Sequence, residues 1–433
     1  MNGTQKIGNY RYRILALLIY ATTINYFDRS IIGVMAPTLQ DLFGWTNNDY
    51  ANIMIAFKVA YAIGMLTMGG IIDRLGTKNG YTLAIGIWSI FGMLHAAVRP
   101  AFSIIGFSIA RFGLGFGESG HFPAAQKTVA EWFPKKERAF ATGLYNAATS
   151  LGAIAAPFVV GWIVHETTGA NWQIPFLITG AMSTIWVILW RRTYTKPEDS
   201  KKLSKEELAY IESDSTVETK EKLSWSKVLP KRETWAFATA KLTDAVWWFY
   251  LFWGAKYLHT TFDVSLADIG VPFFIMYMLA DGGSILGGWI SGSFMKKGWS
   301  INKARKMTLL ICAIIIMPVA YVAIAENKWL AVVLIGIGAA GHQAWSANIF
   351  TLVSDVFPKK AVASVTGIGG MMGAVAGIVG DKLLGSVLDQ AGNSGYFWAF
   401  LIAGSCYLIV LGLVHLLMPK MTPLDENLKP IEQ

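Results

Sequence analysis

The sequence predicts an all-α membrane protein: twelve transmembrane helices in two six-helix, pseudo-symmetric bundles. Three observations lead there. The 433-residue chain is 54% hydrophobic and only 15% charged, against about 25% charged in a soluble domain, and its mean hydropathy is +0.43. Its apolar residues gather in twelve stretches, and about 20 such residues cross a bilayer as a helix. A segment of the first half also returns in the second, displaced by 224 residues.

The stretches fall near 14–37, 50–72, 79–98, 102–126, 139–164 and 173–190, then near 233–257, 268–294, 307–325, 328–354, 362–387 and 396–418. They divide the chain into a first bundle (1–191), a cytoplasmic linker (192–231), a second bundle (232–419) and a cytoplasmic tail (420–433). Twelve spans use some 240 residues, which leaves no room for a separate catalytic domain. The opening MNGTQKIGNYRYR is polar and basic, and the apolar run behind it is too long for a signal-peptide core and lacks an A-x-A site. It reads as a retained first span. Within the linker, Ser204 and Glu207 form a capping-box pattern that opens a short amphipathic helix, KEELAYIE. That segment is expected to be solvated.

Lys and Arg set the orientation. If the N-terminus is cytoplasmic, the inside loops hold Arg74, Lys78, Lys135, Lys136, Arg138, Lys296, Lys297, Lys303, Arg305, Lys306, Lys359 and Lys360, and the outside loops little beyond Arg99 and Lys328. Both termini and the linker are therefore placed in the cytoplasm. The net charge of +9 belongs to these scattered loops and forms no stripe for nucleic acid. Cys312 and Cys406 lie in apolar runs, with no CxxC or metal spacing. The six histidines are scattered among separate spans without ligand spacing. No metal, cofactor or enzymatic activity is expected. The seventeen Trp and sixteen Tyr suit interfacial belts and core packing.

The repeat is parallel. EWFPKKERAFATGLYNAATSLGAIAAPFVVGWI begins at Glu131, and SDVFPKKAVASVTGIGGMMGAVAGIVGDKLLGSV begins at Ser354. Superposing FPKK on FPKK puts Gly143 on Gly367, Gly161 on Gly385 and Glu131 on Asp355. Parallel halves with a site between them near the midplane are one of the transporter architectures.

Several motifs then carry a resemblance. GGIIDRLGTK, Gly69 to Lys78, resembles the G-x-x-x-D-R-x-G-x-[RK] loop of the major facilitator superfamily; its counterpart GGWISGSFMKKG keeps the glycines and lacks the aspartate. NYFDR, RFGLGFGESGHFPA and AEWFPKKERAFATGLYNAATSLGA resemble the anion:cation symporter family, and TDAVWWFYLFWGAKYL its hexuronate-transporter branch. The resemblance implies the major facilitator fold, a bacterial inner-membrane location and proton-coupled uptake of sugar-acid anions, such as galacturonate, glucuronate or aldonates. It also implies that Arg29 binds the substrate carboxylate beside the acid Asp28, that Tyr61 lines the cavity, and that Arg111 and Glu118 are the span-four charges. The span-five position that touches substrate in some members is Thr149, where aldonate carriers have glutamine, which points to a different substrate. The protein is expected to work as a monomer.

The residues themselves agree. Asp28, Arg29, Lys58, Arg111 and Glu118 fall inside spans, and their exposure to lipid would cost roughly 15 kcal/mol in all. They must face a polar interior. Arg111 and Glu118 are seven apart, on one helix face, with Gly115 between them. An Arg fork binds a carboxylate bidentately and stays charged. Asp28 and Glu118 can titrate, since burial disfavours their charge and a nearby Arg favours it. An anion that takes the Arg would leave the acid favoured to hold a proton, which assigns Glu118 and Asp28 to proton coupling. The rival reading is that these charges only hold helices together, with Arg111 tied to Glu118. Lys58 is either a second anion contact or the partner of Asp28.

In the second half, His342 takes the position equivalent to Glu118, and Ser346 shares its face, near Gln343, Trp345 and Asn348. They either read sugar hydroxyls or make helix contacts. Lys241 and Asp244 suit an intrahelical ion pair, and Trp247, Trp248 and Tyr250 either wall the cavity or pack. Asp73 and Arg74, at a cytoplasmic loop, are assigned to gating. Glycines in span four (Gly113, Gly115, Gly117) and span eleven (Gly367, Gly369, Gly370, Gly373, Gly377) would allow close helix approach; the GxGxG in span four follows no strand and is no nucleotide fingerprint. The alternatives left open are another organic anion (aldonate, aldarate, dicarboxylate or phosphate), sodium coupling or none, and a transporter-like membrane sensor.

Overall fold

Glycines and prolines set where the helices of this chain begin and break. The structure, a computed structural model, describes residues 8–213 and 225–431, without the side chains at 135, 139, 359 and 363. Span one is Tyr10–Val34. The helix does not run on to Pro37 as its apolar stretch suggested: it ends at Met35, and Pro37 lies in the first turn of a separate short helix, Ala36–Phe43, closed by Gly44 at φ 67°. Span two starts at a capping box, in which Thr46 Oγ1 accepts from Asp49 N and Asp49 Oδ2 accepts from Thr46 N, both at 3.0 Å. The helix Asn47–Leu94 holds both span two and span three, broken at Gly76, where φ is 75°.

Span four is Ser103–Glu118, continued after a turn by His121–Trp132; span five is Lys135–Ile163 and span six Gln173–Thr193. Span seven is Arg232–Lys241 with Asp244–Phe262, span eight Gly270–Lys296, span nine Ile301–Ile316 with a 3-10 extension, span ten Lys328–Val356, span eleven Lys359–Ala391 and span twelve Gly395–Leu417. The sequence repeat is a structural one. Pro134 and Pro358 occupy the same cap, with φ −63° and −62°, and launch spans five and eleven. Among the described residues eight helices are long and apolar enough to cross a membrane, and two of them hold two spans each. Spans one and seven, interrupted by charge, complete the twelve.

The halves meet where span two packs on span eleven, span five on span eight, and span one on span seven. By the repeat, the first two contacts are one contact made twice. Helices in lipid gain little from apolar burial between themselves, so close backbone approach carries the packing. A Cβ on Gly283 of span eight would stand 2.2 Å from Ala340 O of span ten, and one on Gly117 of span four 2.6 Å from Trp88 N of span three.

The linker is not simply solvated. Ser204 caps the helix Lys205–Glu212 by accepting from Glu207 N at 3.1 Å. Glu207 does not turn back to Ser204; its carboxylate accepts from Tyr10 N and Arg11 N, both at 3.1 Å, and so satisfies N–H groups that open span one. Arg11 also pairs with Glu137 at 2.9 Å, and Tyr210 donates to Glu137 at 2.7 Å, a contact that pushes the Tyr210 phenol pKa up. The expected linker residues 214–224 lie outside the described residues. The tail returns to the second half, with Leu424 N donating to Val356 O at 2.8 Å and Lys360 pairing with Glu426 at 2.9 Å; its last two residues, 432–433, also lie outside.

Candidate functional site

The last turns of span one carry Asn25, Tyr26 and Arg29 to the centre, between the halves, while Asp28 turns into the first half beside Thr179 and Gly92. Nε and Nη2 of Arg29 donate to one oxygen of Glu118, Oε2, at 3.0 and 2.8 Å, and Nη2 also reaches Asn25 Oδ1 at 3.2 Å. Arg29 is 3% exposed and Glu118 wholly buried, so neither faces lipid. Four rings surround the guanidinium carbon: Tyr26 at 4.8 Å, Tyr61 at 5.0 Å, Phe57 at 5.4 Å and, from the second half, Trp248 at 5.6 Å. Their faces attract the cation. Tyr61 stacks on Phe57, with centroids 5.8 Å apart. Among the described residues, Glu118 Oε1 and Asn25 Nδ2 have no hydrogen-bond partner.

Arg111 is not tied to Glu118. It lies over Phe57, 4.7 Å from the ring, with Nη2 3.9 Å from Met54 Sδ, and its Nε and Nη1 have no hydrogen-bond partner among the described residues. The room left by Gly115 goes to the main chain of span two, since a Cβ there would stand 2.5 Å from Phe57 O. Asp28, 3% exposed, lies beside Thr179 with Oδ2 unpartnered. Arg111 is close enough to Glu118, Arg29 and Asp28 to feel the charge of each.

Lys58 does not pair with Asp28. Its ammonium is 2.6 Å from Asp381 on span eleven and donates to Gly377 O at 3.1 Å. Trp253 Nε1 donates to the same carboxylate at 3.1 Å. Sequence reasoning missed Asp381, which sits beside Lys382 and resembles the charged end of a span. It missed Asp281 too, although an acid within LADGG was a signal. Ser150 donates to Asp281 at 2.6 Å. Each bridge joins one of the two span pairs that the repeat relates, span two with span eleven and span eight with span five, at positions that the repeat does not superpose.

The remaining candidates divide. Thr149 is half-buried, next to Ser150. His342 is hydrogen-bonded through Nδ1 to Tyr407 Oη at 2.7 Å and stacked on Trp247 at 5.6 Å, with Ser346 half-buried one turn on. Asn348 binds Gly287 O at 3.1 Å and Ala344 O at 2.9 Å, a helix contact. Lys241 and Asp244 form an ion pair, at 2.6 Å, but across the break between the two helices of span seven and not within one helix as expected. Asp73 and Arg74 are exposed at the terminal end of span two, away from the centre, with Asp73 2.8 Å from Lys127. A small cavity of about 20 Å³ in the second half is walled by Trp247, Tyr250, Met276 and Tyr277 among others.

At the face opposite the termini the halves are joined by polar contacts. Asp389 of span eleven accepts from Asn47 N at 2.8 Å and Asn48 N at 2.9 Å, and so caps span two from the other half. Lys382 reaches Asn48 and Asn52, Lys256 reaches Gln40 and Asn47, and Tyr50 donates to Phe252 O at 2.6 Å.

Two repeated helical halves, closed at one face over a buried cluster of paired charges, define a multi-pass membrane protein of the carrier type. The chain belongs to the Major Facilitator Superfamily, whose family profile matches residues 18–380. It is 32% identical to the hexuronate transporter of Escherichia coli K12 over 401 residues, 91% of each chain. It is 30% identical to the galacturonate transporter of Dickeya chrysanthemi over 334 residues, 76% of this chain and 95% of that one. A protein of Bacillus subtilis described as a probable galactarate/D-glucarate transporter is 26% identical over 447 residues, 98% of this chain and 96% of that one. In fold, it is similar to a bacterial homologue of the human lysosomal transporter Spinster in an inward-facing, occupied conformation (TM-score 0.76, 17% identity, 96% and 98% covered). It is also similar to a D-xylose–proton symporter (TM-score 0.74, 14% identity, 95% and 100% covered).

Proposed function

We propose that this protein is a proton-coupled symporter that imports a hexuronate anion, galacturonate or glucuronate, by alternating access. The observation that carries the proposal is the geometry at Arg29, whose two N–H groups meet a single titratable oxygen of Glu118 inside an aromatic enclosure built by both halves. The names of the relatives supply the substrate class.

The substrate carboxylate takes the two N–H groups that Glu118 holds in its absence. Glu118, wholly buried, is then a carboxylate without its cation, and a proton removes the unpaired charge. Release of the anion and the proton to the cytoplasm restores the Arg29–Glu118 pair. Arg111, with Nε and Nη1 unpartnered among the described residues, is the second contact for that same carboxylate, and Asp28 takes part with Glu118 in handling the single coupling proton. Tyr61, Thr149, Ser346 and His342 contact the sugar body. Asp73 and Arg74 act on the gate at the terminal face. The face closed by Asp389, Lys382 and Lys256 is the outer one, the termini are cytoplasmic, and the carrier works as a monomer in the bacterial inner membrane.

The test is uptake into proteoliposomes under an imposed inward proton gradient, with galacturonate, glucuronate, galactonate and glucarate in parallel. Concentrative uptake of a hexuronate that a protonophore abolishes supports the proposal. Uptake that ignores the gradient, or follows sodium, overturns the coupling; a preference for galactonate or glucarate overturns the substrate.

A further inference from the structure

Trp248 lies within cation–π range of two cations. Its ring is 5.6 Å from the Arg29 guanidinium carbon and 5.3 Å from the Lys58 ammonium. A molecule the size of a six-carbon acid, held by its carboxylate at Arg29, would bring its other end toward Lys58. The two cations are nevertheless partnered differently. In the proposed cycle Glu118 yields Arg29 to the anion, and one proton then neutralises it. Asp381 is held by two contacts, the Lys58 ammonium at 2.6 Å and the Trp253 indole at 3.1 Å, and the ammonium is itself held on span eleven by donating to Gly377 O at 3.1 Å. Gly377 permits that approach, since a Cβ there would stand 3.1 Å from Lys58 Nζ and 3.0 Å from the Trp248 ring. Lys58 and Asp381 are both buried.

We infer that Asp381 sets the charge of the substrate. It is a built-in carboxylate that occupies Lys58, so the site accepts one negative charge at Arg29 and rejects dicarboxylates. The inference rests on the reading of Arg29 as the anion anchor. A diacid that reached Lys58 with its second carboxylate would have to displace Asp381 and leave that acid buried without a cation, a heavy penalty. A hexuronate offers only hydroxyls at that end and leaves the Lys58–Asp381 pair intact. The other charges near the pair do not change the count: Arg111 and Asp28 are of opposite sign, and Glu118 already answers Arg29.

The experiment measures binding of radiolabelled galacturonate and galactarate to purified protein in nanodiscs at one pH, for the wild type, Asp381→Asn, Asp381→Ser and the double variant Lys58→Gln/Asp381→Asn. The wild type should prefer galacturonate. Removing the Asp381 charge frees Lys58, and the ratio of galactarate to galacturonate affinity should rise about tenfold or more, the worth of one charge-assisted contact. The double variant, without the free ammonium, should return to the monoacid preference. Three results would overturn the inference: single variants that weaken both acids alike, a double variant that matches the single ones, or a wild type that binds both acids equally. Failure of both single variants to fold, with a folded double variant of unchanged preference, makes the pair a structural bridge only and also overturns it. If the wild type binds no galacturonate, the hexuronate reading fails on its own, and galactonate against galactarate, another monoacid and diacid pair, reads the charge rule in the same proteins.

Discussion

Arg29 donates two hydrogen bonds to the same oxygen of Glu118, at 3.0 and 2.8 Å, while the second carboxylate oxygen has none. A fork–fork pair would use both oxygens. This one-oxygen arrangement leaves Oε1 available to a proton without disturbing the existing bonds.

Glu118→Gln keeps an acceptor oxygen for Arg29 and removes the titratable group. Accumulation driven by a proton gradient should fall to the level of a gradient-free control, while exchange of labelled for unlabelled galacturonate persists. Concentrative uptake at the wild-type level in proteoliposomes would reject Glu118 as the coupling acid.

Arg29→Lys retains the charge opposite Glu118 and loses the planar fork. Galacturonate binding should weaken by about 10–100-fold, the range for a hydrogen bond to a charged group, with the thermal midpoint nearly unchanged. Isothermal titration and a melting curve on the same preparation read both. A large drop in the midpoint with intact binding would make Arg29 a structural tie.

Asp389→Ala removes the cap that span eleven places on span two. Loss of an N-cap costs about 1 kcal/mol, enough to shift the two access states several-fold toward opening at that face. A cysteine at Ala51, which packs against Gly385, should then react faster with a membrane-impermeant thiol reagent in protein lacking Cys312 and Cys406.

Gly283→Leu should destabilise by about 1–3 kcal/mol through overpacking, because the new side chain enters the Ala340 backbone. Gly282→Leu next to it meets nothing within 4 Å and should leave the thermal midpoint in place. Equal effects of the two would show that span eight does not pack on span ten as described.

How much of this was legible in the sequence differs from element to element. Hydropathy and the FPKK repeat reached the twelve-span, two-half plan, because a bilayer forces long apolar helices and a duplication keeps its caps. The Lys241–Asp244 pair was legible because its members are three residues apart, although it joins the two helices of span seven across their break and does not lie on one helix. The helix break at Met35 had a signal in Pro37, which opens a helix better than it closes one. The partner of Lys58 had none, since Asp381 lies on the other half and only the folded chain brings the two together. Glu207 shows the same limit: its spacing from Ser204 predicted the cap, but nothing local said that its carboxylate would serve span one, 197 residues away.

The opposite charges of Arg29 and Glu118 also bear on what powers the carrier. In the proposed cycle an incoming anion adds one negative charge to the centre as a proton deletes one, so the loaded and empty protein carry equal charge. Membrane voltage, worth about 2.3 kcal/mol per elementary charge per 100 mV, then has nothing to pull on, and a potassium diffusion potential set with valinomycin should neither speed nor slow uptake. Acidity outside would be the whole driving force, concentrating the sugar acid about tenfold for each pH unit across the membrane.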